Sequence, residues 1–293
     1  MFDIAIIGAG PAGMSAAVYA RRAGLSVAVF EGEMCGGQMI LTPEVENYPG
    51  IAKISGAELS YAMHEQMLSL GAELIEAPVT AVKKTGGFTV LADKEYAAKA
   101  LIIANGAKRR KLGIPGEEKY IGRGVSYCAV CDGMFFRGKT VAVIGGGNTA
   151  LEDAIYLAGI CEKVYLIHRR TEFRAQKHLV EKISDIANIT VITPANPTEI
   201  HGDMRVNSLT LDSGDTLSVD AVFVAIGLLP ENGMFADLVE LENGYIRAAD
   251  DTHTSCEGVF AAGDTRTKSL RQIVTAASDG AIAATEAEKF LNH

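Results

Sequence analysis

The chain has 293 residues, enough for two domains of ordinary size and for a core that needs no disulfide or metal staple. Hydrophobic residues make up 48% and charged residues 22%, which excludes a disordered chain, and 31 Gly without a repeating period exclude a collagen-like one. The net charge of −9 argues against non-specific binding to nucleic acid or to an anionic membrane, no apolar run is long enough to span a bilayer, and the N-terminus MFDIAIIGAG lacks the basic start of a signal peptide.

Ile4-Ala5-Ile6-Ile7 is a short apolar run of the kind found in buried parallel strands. It leads into Gly8-Ala9-Gly10-Pro11-Ala12-Gly13. Gly8 permits a tight turn, Gly10 lets a pyrophosphate approach the backbone, and Gly13 lets a helix pack close to the strand. Pro11 opens that helix and Gly24 closes it, so the helix N-terminus meets the phosphate charge. The second strand, Ser26–Phe30, ends at Glu31, where an acidic side chain binds both hydroxyls of a ribose. A Gly-rich turn beside a solvated Glu is the plainer explanation. Strand, helix, second strand and acid in register favour the nucleotide site.

Residues 78–96 alternate apolar and polar residues with Gly punctuation and predict antiparallel hairpins, and Leu101–Ala104 predicts a buried strand. A linker follows at 106–116. Then comes Cys128-Ala129-Val130-Cys131-Asp132. A CxxC is half a zinc site, a redox dithiol, or chance. Structural zinc needs four ligands, and Cys35, Cys161 and Cys256 stand alone, with no second CxxC or close His pair. The redox disulfide is favoured, because the spacing closes a small, easily exchanged ring. When electrons enter a disulfide one sulfur leaves as thiolate and needs a proton. Asp132 is either the general acid that supplies it or a turn residue before Gly133. Met134, Phe135 and Phe136 are either a docking surface for a protein partner or core.

The βαβ pattern returns at 140–169, with Val141–Ile144 as strand, Gly145-Gly146-Gly147-Asn148-Thr149-Ala150 as turn and helix start, and Val164–Ile167 as second strand. This strand ends in His168-Arg169-Arg170, with Arg174 one turn later, instead of in an acid. A carboxylate repels a 2′-phosphate and paired guanidiniums bind it. The first site therefore reads as one for a dinucleotide with a free ribose and the second as one for NADPH. Residues 190–219 predict further hairpins, 221–226 a buried strand, and 227–233 a second linker. Val259–Ala262 is a strand ending in Gly263-Asp264, and 270–291 a terminal helix. The two linkers bracket the second βαβ unit, so the second domain is expected as an insertion into the first.

These motifs, in this order, resemble the low-molecular-weight thioredoxin reductases, flavoproteins with two dinucleotide-binding domains. Gly36-Gly37-Gln38, Glu46–Gly50, Pro115-Gly116-Glu117, Gly124–Tyr127 and Arg271-Gln272 add to the likeness, and CxxCD together with HRRxxFRA is its most specific part. The resemblance implies an α/β fold of two Rossmann-like, three-layer domains. Residues 1–110 and 233–293 would form the FAD domain, with the NADPH domain, 111–232, inserted. It implies FAD at Gly8, Gly10, Pro11, Ala12, Gly13, Glu31, Gly37, Gln38, Asn47, Val79, Gly106, Gly263, Asp264, Arg271, Gln272 and Ile273. It implies NADPH at Gly147, Asn148, Thr149, His168, Arg169, Arg170 and Arg174, no metal, and catalysis by Cys128, Cys131 and Asp132. It further implies a homodimer whose protein substrate is thioredoxin; the five Cys, an odd number without a disulfide framework, read as a reducing, cytoplasmic setting, and the charge and hydropathy as no nucleic-acid or membrane partner. A same-fold reductase that takes electrons from ferredoxin or NADH, or reduces another protein disulfide, is the alternative. A flavin-binding sensor without catalysis would leave Cys128, Cys131 and the arginines without a role. Ala104-Asn105-Gly106 stands where the family commonly has Ala-Thr-Gly. Cys35 is a bystander or an oxidation-sensitive thiol. Because NADPH and the cysteine pair belong to one domain and must both reach one flavin, a hinge rotation about 106–116 and 227–233 is expected.

Overall fold

A computed structural model describes residues 1–42 and 44–292, without the side chain of Leu41. The chain divides into two compact units, Met1–Lys108 with Leu229–His293, and Arg109–Leu228. The crossings thus fall at 108/109 and 228/229, a few residues before the expected boundaries after 110 and 232.

The first segment runs β1 (Phe2–Ile7), α1 (Pro11–Arg22), β2 (Val27–Phe30), α2 (Gly56–Ser69), β3 (Glu73–Ile75), β4 (Ala81–Lys84), β5 (Phe88–Leu91) and β6 (Glu95–Ile103). β1 lies between β2 and β6, parallel to both, and β3 extends the sheet beyond β2. β4, β5 and β6 form an antiparallel meander, as the alternation over 78–96 predicts. α2 has no counterpart among the expected elements. It starts on a capping box in which Ser55 and Glu58 satisfy each other's backbone N–H.

The inserted unit begins with β7 (Lys108–Arg109), β8 (Val125–Ser126), α3 (Ala129–Asp132), β9 (Thr140–Ile144), α4 (Asn148–Ala158), β10 (Lys163–Ile167), α5 (Lys177–Ser184) and β11 (Ile189–Ile192). β12 (Pro197–Gly202), β13 (Val206–Leu211), β14 (Thr216–Ser218) and β15 (Ala221–Val224) complete it. Its main sheet is parallel, in the order β11-β10-β9-β15-β8, and β12, β13 and β14 form a separate antiparallel sheet. Residues 190–192 therefore belong to a parallel strand and not to the expected hairpins. β11 is the edge strand of its sheet, and its two middle residues, Thr190 and Val191, are both exposed, so it lacks the continuous burial of the inner parallel strands.

The returning segment holds β16 (Leu228–Leu229), β17 (Leu241–Glu242), β18 (Tyr245–Ile246), β19 (Val259–Ala261) and α6 (Ile273–Leu291). β19 pairs parallel with β6, giving the parallel order β3-β2-β1-β6-β19. Alternate strand residues serve two cores. Ile4, Ile6, Val29 and Ile102 pack with α1 and α6 on one face, and Ala5, Ile7, Leu101 and Ile103 pack with Phe88, Phe235 and Ile246 on the other. The inserted unit repeats this arrangement. Val141, Val143 and Phe223 face α4 and α5, and Ala142, Val222 and Val224 face β12 and β13 through Ile200 and Leu209. Both units are three-layered. Each fully buried Ile or Leu adds about 1.5–3 kcal/mol of transfer free energy.

Candidate active site

The cysteine pair sits on the four-residue helix α3. Cys128 is the N-cap of α3 and is disulfide-bonded to Cys131, with the two Cα atoms 5.3 Å apart. The Cys131 N–H points at Cys128 Sγ, 3.2 Å away. Ser126, at the end of β8, ties the turn together. Its Oγ accepts from the Cys128 N–H at 3.1 Å and donates to Asp132 Oδ2 at 2.6 Å. The Asp132 N–H returns to the Cys128 carbonyl at 3.1 Å. Asp132 Oδ1 is buried with no hydrogen-bond partner. Burial therefore raises the Asp132 carboxyl above the ordinary carboxylate range, against the lowering effects of Ser126 and of the Arg109 charge. A carboxyl that keeps its proton unusually long, one hydrogen-bonded residue from a disulfide, is equipped to protonate a leaving thiolate.

Around the turn Val130, Met134 and Phe135 are 46%, 45% and 45% exposed. Phe136 is packed edge-on against Phe223 with ring centroids 5.7 Å apart. The two readings of this run divide by residue: Met134 and Phe135 face solvent and Phe136 is core. Cys161 is buried and Cys35 and Cys256 are half-buried, all three unpaired. Burial, then the charges of Glu31 and Glu76, push the Cys35 thiol upward, which disfavours its reactive thiolate.

In the first unit part of the expected set lies around the Gly-rich turn. Gly8 has φ +101°, and a Cβ on Gly13 would strike the Gly8 carbonyl, so α1 starts against the strand end. Gly10 is the N-cap of α1 without a side-chain cap, Pro11 and Ala12 open the helix, and a Cβ on Gly10 would enter open space. Uncapped first-turn N–H groups facing an open cradle fit an anionic pyrophosphate. Glu31 stands beside it. One carboxylate oxygen accepts the Ala9 N–H at 2.8 Å and the other the Glu33 N–H at 3.0 Å, leaving lone pairs for ribose hydroxyls. Gly36 donates to the Ala9 carbonyl at 2.7 Å, and Gly37, next to Gln38, approaches Gly10. Ala104, two residues before Gly106, abuts Gly8, and Gly263, next to Asp264, lies over Ala12. Gly263 is in turn held by Asp279, which accepts its N–H at 2.9 Å. Asn47 donates to Gln272 at 3.1 Å, Ile273 begins α6, and the Arg271 guanidinium lies 4.4 Å from the Tyr245 ring centre. Val79 stands apart: its side chain packs into the second core, while Pro78 beside it abuts Gly32, next to Glu31.

The second unit repeats the cradle. Gly147 is the uncapped N-cap of α4, a Cβ there would meet nothing, and Asn148 and Thr149 open the helix. The buried His168 ring lies against Gly146 and stacks on Phe173 at 5.6 Å. Desolvation lowers its pKa first, and the charges of Arg169, Arg170 and Arg174 lower it further. The Arg174 N–H donates to the Gly146 carbonyl at 2.7 Å, and Arg170 to Arg174 line an open cavity. Among the described residues none of the three exposed arginines forms an ion pair with a carboxylate. Three uncompensated guanidiniums beside a ribose position fit a phosphate monoester. Sequence reasoning did not assign Ser126, although it lies in the quoted Gly124–Tyr127 segment. Its role follows only from the closeness of Oγ to Asp132.

A family model described as pyridine nucleotide-disulphide oxidoreductase matches residues 2–280. The thioredoxin reductase of Bacillus subtilis (strain 168) is 45% identical over 300 residues, spanning 99% of this chain and 95% of its own. The crystal structure of thioredoxin reductase from Streptococcus pyogenes MGAS5005 is 44% identical and overlays with a TM-score of 0.95 over 100% of this chain and 98% of that one. The Lactococcus lactis thioredoxin reductase structure described as the FR conformation is 42% identical and overlays at 0.68, over 100% and 99%.

Proposed function

The chain belongs to the pyridine nucleotide-disulphide oxidoreductase family, and we propose that it acts there as an NADPH-dependent thioredoxin reductase with FAD as its flavin. The observation that carries this reading is the redox turn. A disulfide, its hydrogen-bonded Ser126 and a proton-retaining Asp132 occupy one turn, in a chain that also holds two anion cradles at helix starts.

FAD bound at Gly8–Gly13, Glu31, Gly37, Gln38, Asn47, Gly106, Gly263, Asp264, Arg271, Gln272 and Ile273 supplies the relay of two electrons from a nicotinamide to a disulfide. The remaining steps belong to this chain's own side chains. Gly147, Asn148 and Thr149 receive the second pyrophosphate, and Arg169, Arg170 and Arg174 neutralise a 2′-phosphate beside His168. When two electrons enter the Cys128–Cys131 bond, the S–S bond breaks, one sulfur takes up a proton to become a thiol and the other is left as thiolate. Asp132, held by Ser126, supplies the proton. A thiolate of the pair then attacks a thioredoxin disulfide, a mixed disulfide forms, and the second cysteine displaces reduced thioredoxin and restores the Cys128–Cys131 bond. The exposed Val130, Met134 and Phe135 beside the pair supply the contact for that partner.

The three unpaired cysteines suit a reducing cytoplasm. A homodimer is part of the same reading, supported by the exposed Tyr19, Tyr61 and Val274 on the helical face of the first unit. The test is oxidation of NADPH by the purified flavoprotein with thioredoxin as acceptor, with NADH in parallel. Thioredoxin-dependent turnover with NADPH well ahead of NADH is expected. Equal use of NADH, or anaerobic NADPH that fails to bleach the flavin, would overturn the donor assignment and favour NADH or ferredoxin. Bleaching without turnover on thioredoxin would point to another disulfide partner.

A further inference from the structure

The first crossing into the inserted unit ends on a buried brace. Glu117 is only 1% exposed. Its carboxylate accepts the Leu112 and Gly113 N–H groups at 2.8 and 2.7 Å, which fixes the chain just after the crossing. The same carboxylate accepts the Tyr127 hydroxyl at 2.8 Å. Burial, then the Glu117 hydrogen bond, push the Tyr127 phenol well above its usual range, so it stays protonated and remains a donor. Tyr127 immediately precedes Cys128. Its ring is the platform for Arg109, whose guanidinium carbon lies 5.4 Å from the ring centre, within cation–π range. Arg109, Glu117, Tyr127 and the redox turn all belong to the inserted unit, so the brace travels with the cysteine pair.

We propose that Arg109, Tyr127 and Glu117 form a brace that carries a linker-borne positive charge to the redox turn, and that Arg109 is a positioning residue for the proton held at Asp132. This rests on the reading of Asp132 as the general acid. Three groups set the state of that carboxyl: its buried surroundings, the Ser126 hydroxyl, and the Arg109 charge. The neighbouring disulfide is uncharged. The α4 helix, which packs against α3, brings Glu152 and Asp153, and burial, then Glu152, push Asp153 up to about 7. Arg109 thus opposes burial. It keeps Asp132 from holding its proton too tightly to release it. Glu117 and Tyr127 act at one remove, by holding the guanidinium in place.

Two measurements on the holoenzyme test this together: the pH profile of thioredoxin-dependent turnover, and direct titration of the Asp132 carboxyl by infrared difference spectroscopy, identified by its loss in Asp132→Asn. Arg109→Met and Tyr127→Leu are each expected to shift both midpoints to higher pH than wild type, whereas Arg109→Lys, which keeps the charge, stays near wild type. A merely structural role would lower activity or stability and leave the midpoints in place. Midpoints of Arg109→Met and Tyr127→Leu that coincide with wild type, or Arg109→Lys shifted as far as Arg109→Met, would overturn the proposal. The infrared titration separates it from the functional reading. If Asp132 titrates but Asp132→Asn leaves turnover and its pH profile unchanged, the general-acid reading fails, and a shift in the Arg109→Met titration still establishes the charge placement.

Discussion

At Asp132 the two carboxylate oxygens live in different surroundings: Oδ2 is held by Ser126 and Oδ1 is buried without a partner. The sequence shows Asp132 next to the cysteine pair and leaves its role open between acid and turn residue. Burial and Ser126 decide what it can do, and neither is a property of adjacent residues in the chain. In the sequence Glu117 and Tyr127 stand out only as members of the segments Pro115-Gly116-Glu117 and Gly124–Tyr127. Their hydrogen bond joins residues ten apart through a fold that no local pattern displays. Charge pairs that are close in space and far in sequence also set the acid limit of the first strand. Asp3 is held at about 2, first by Lys99, 2.8 Å away, then by the Ser26 hydroxyl and N–H. A depressed carboxyl stabilises the fold at every pH above its unfolded value near 3.8, and that contribution is lost as pH falls toward 2. The effect is modest, because the pair is largely solvent-screened. Thermal melts between pH 5 and pH 2 are therefore expected to fall less steeply for Asp3→Asn than for wild type, with the Asn variant the less stable at pH 5. Parallel melting curves would refute the assignment.

At the scale of elements, the strands and helices that carry nucleotide motifs were the legible ones, because their glycines punctuate the chain where a strand turns into a helix. α2 was missed although Ser55 and Glu58 mark its start, since its apolar residues do not form a clean stripe: only Gly56, Leu59, Ser60 and Met67 are buried. β11 was misplaced because an edge strand with exposed middle residues lacks the buried run that marks the inner parallel strands. The α1–α6 seam shows how glycines with similar surroundings in the sequence take opposite duties. Gly280 on α6 faces the Ala12 backbone so closely that a Cβ would collide with its carbonyl, whereas a Cβ on Gly10 would meet nothing. Gly280→Val is expected to destabilise the protein by about 1–3 kcal/mol through overpacking, read from urea unfolding. Gly10→Val is expected to unfold near the wild-type midpoint as apoprotein yet to retain far less flavin, because its side chain fills the anion cradle. A Gly10 variant that binds flavin as wild type does would show that the cradle lies elsewhere.

At the scale of the whole molecule, insertion of one unit into the other was legible from two linkers bracketing a repeated βαβ pattern. The shared membership of the cysteine pair and the arginine cluster in Arg109–Leu228, with the first cradle in the other unit, has a mechanical consequence. If the cofactors bind as proposed, a nicotinamide and a disulfide carried on one body must each reach a flavin carried on the other, and the disulfide must also meet a protein partner. One fixed arrangement serves these demands poorly. The two bodies are joined by two crossings, and near them, within the inserted unit, the Arg110 N–H donates to the Gly227 carbonyl at 3.1 Å, which holds the two linkers side by side. A non-reducible cross-link between one engineered cysteine on each unit is therefore expected to block steady-state turnover with thioredoxin while sparing whichever single half-reaction the trapped orientation permits, flavin bleaching by NADPH or electron transfer to the disulfide. The same two cysteines capped separately with a monofunctional reagent should leave turnover intact, because the caps leave the two crossings free to move. Unchanged turnover in the cross-linked protein would mean that one arrangement suffices and that the hinge is idle.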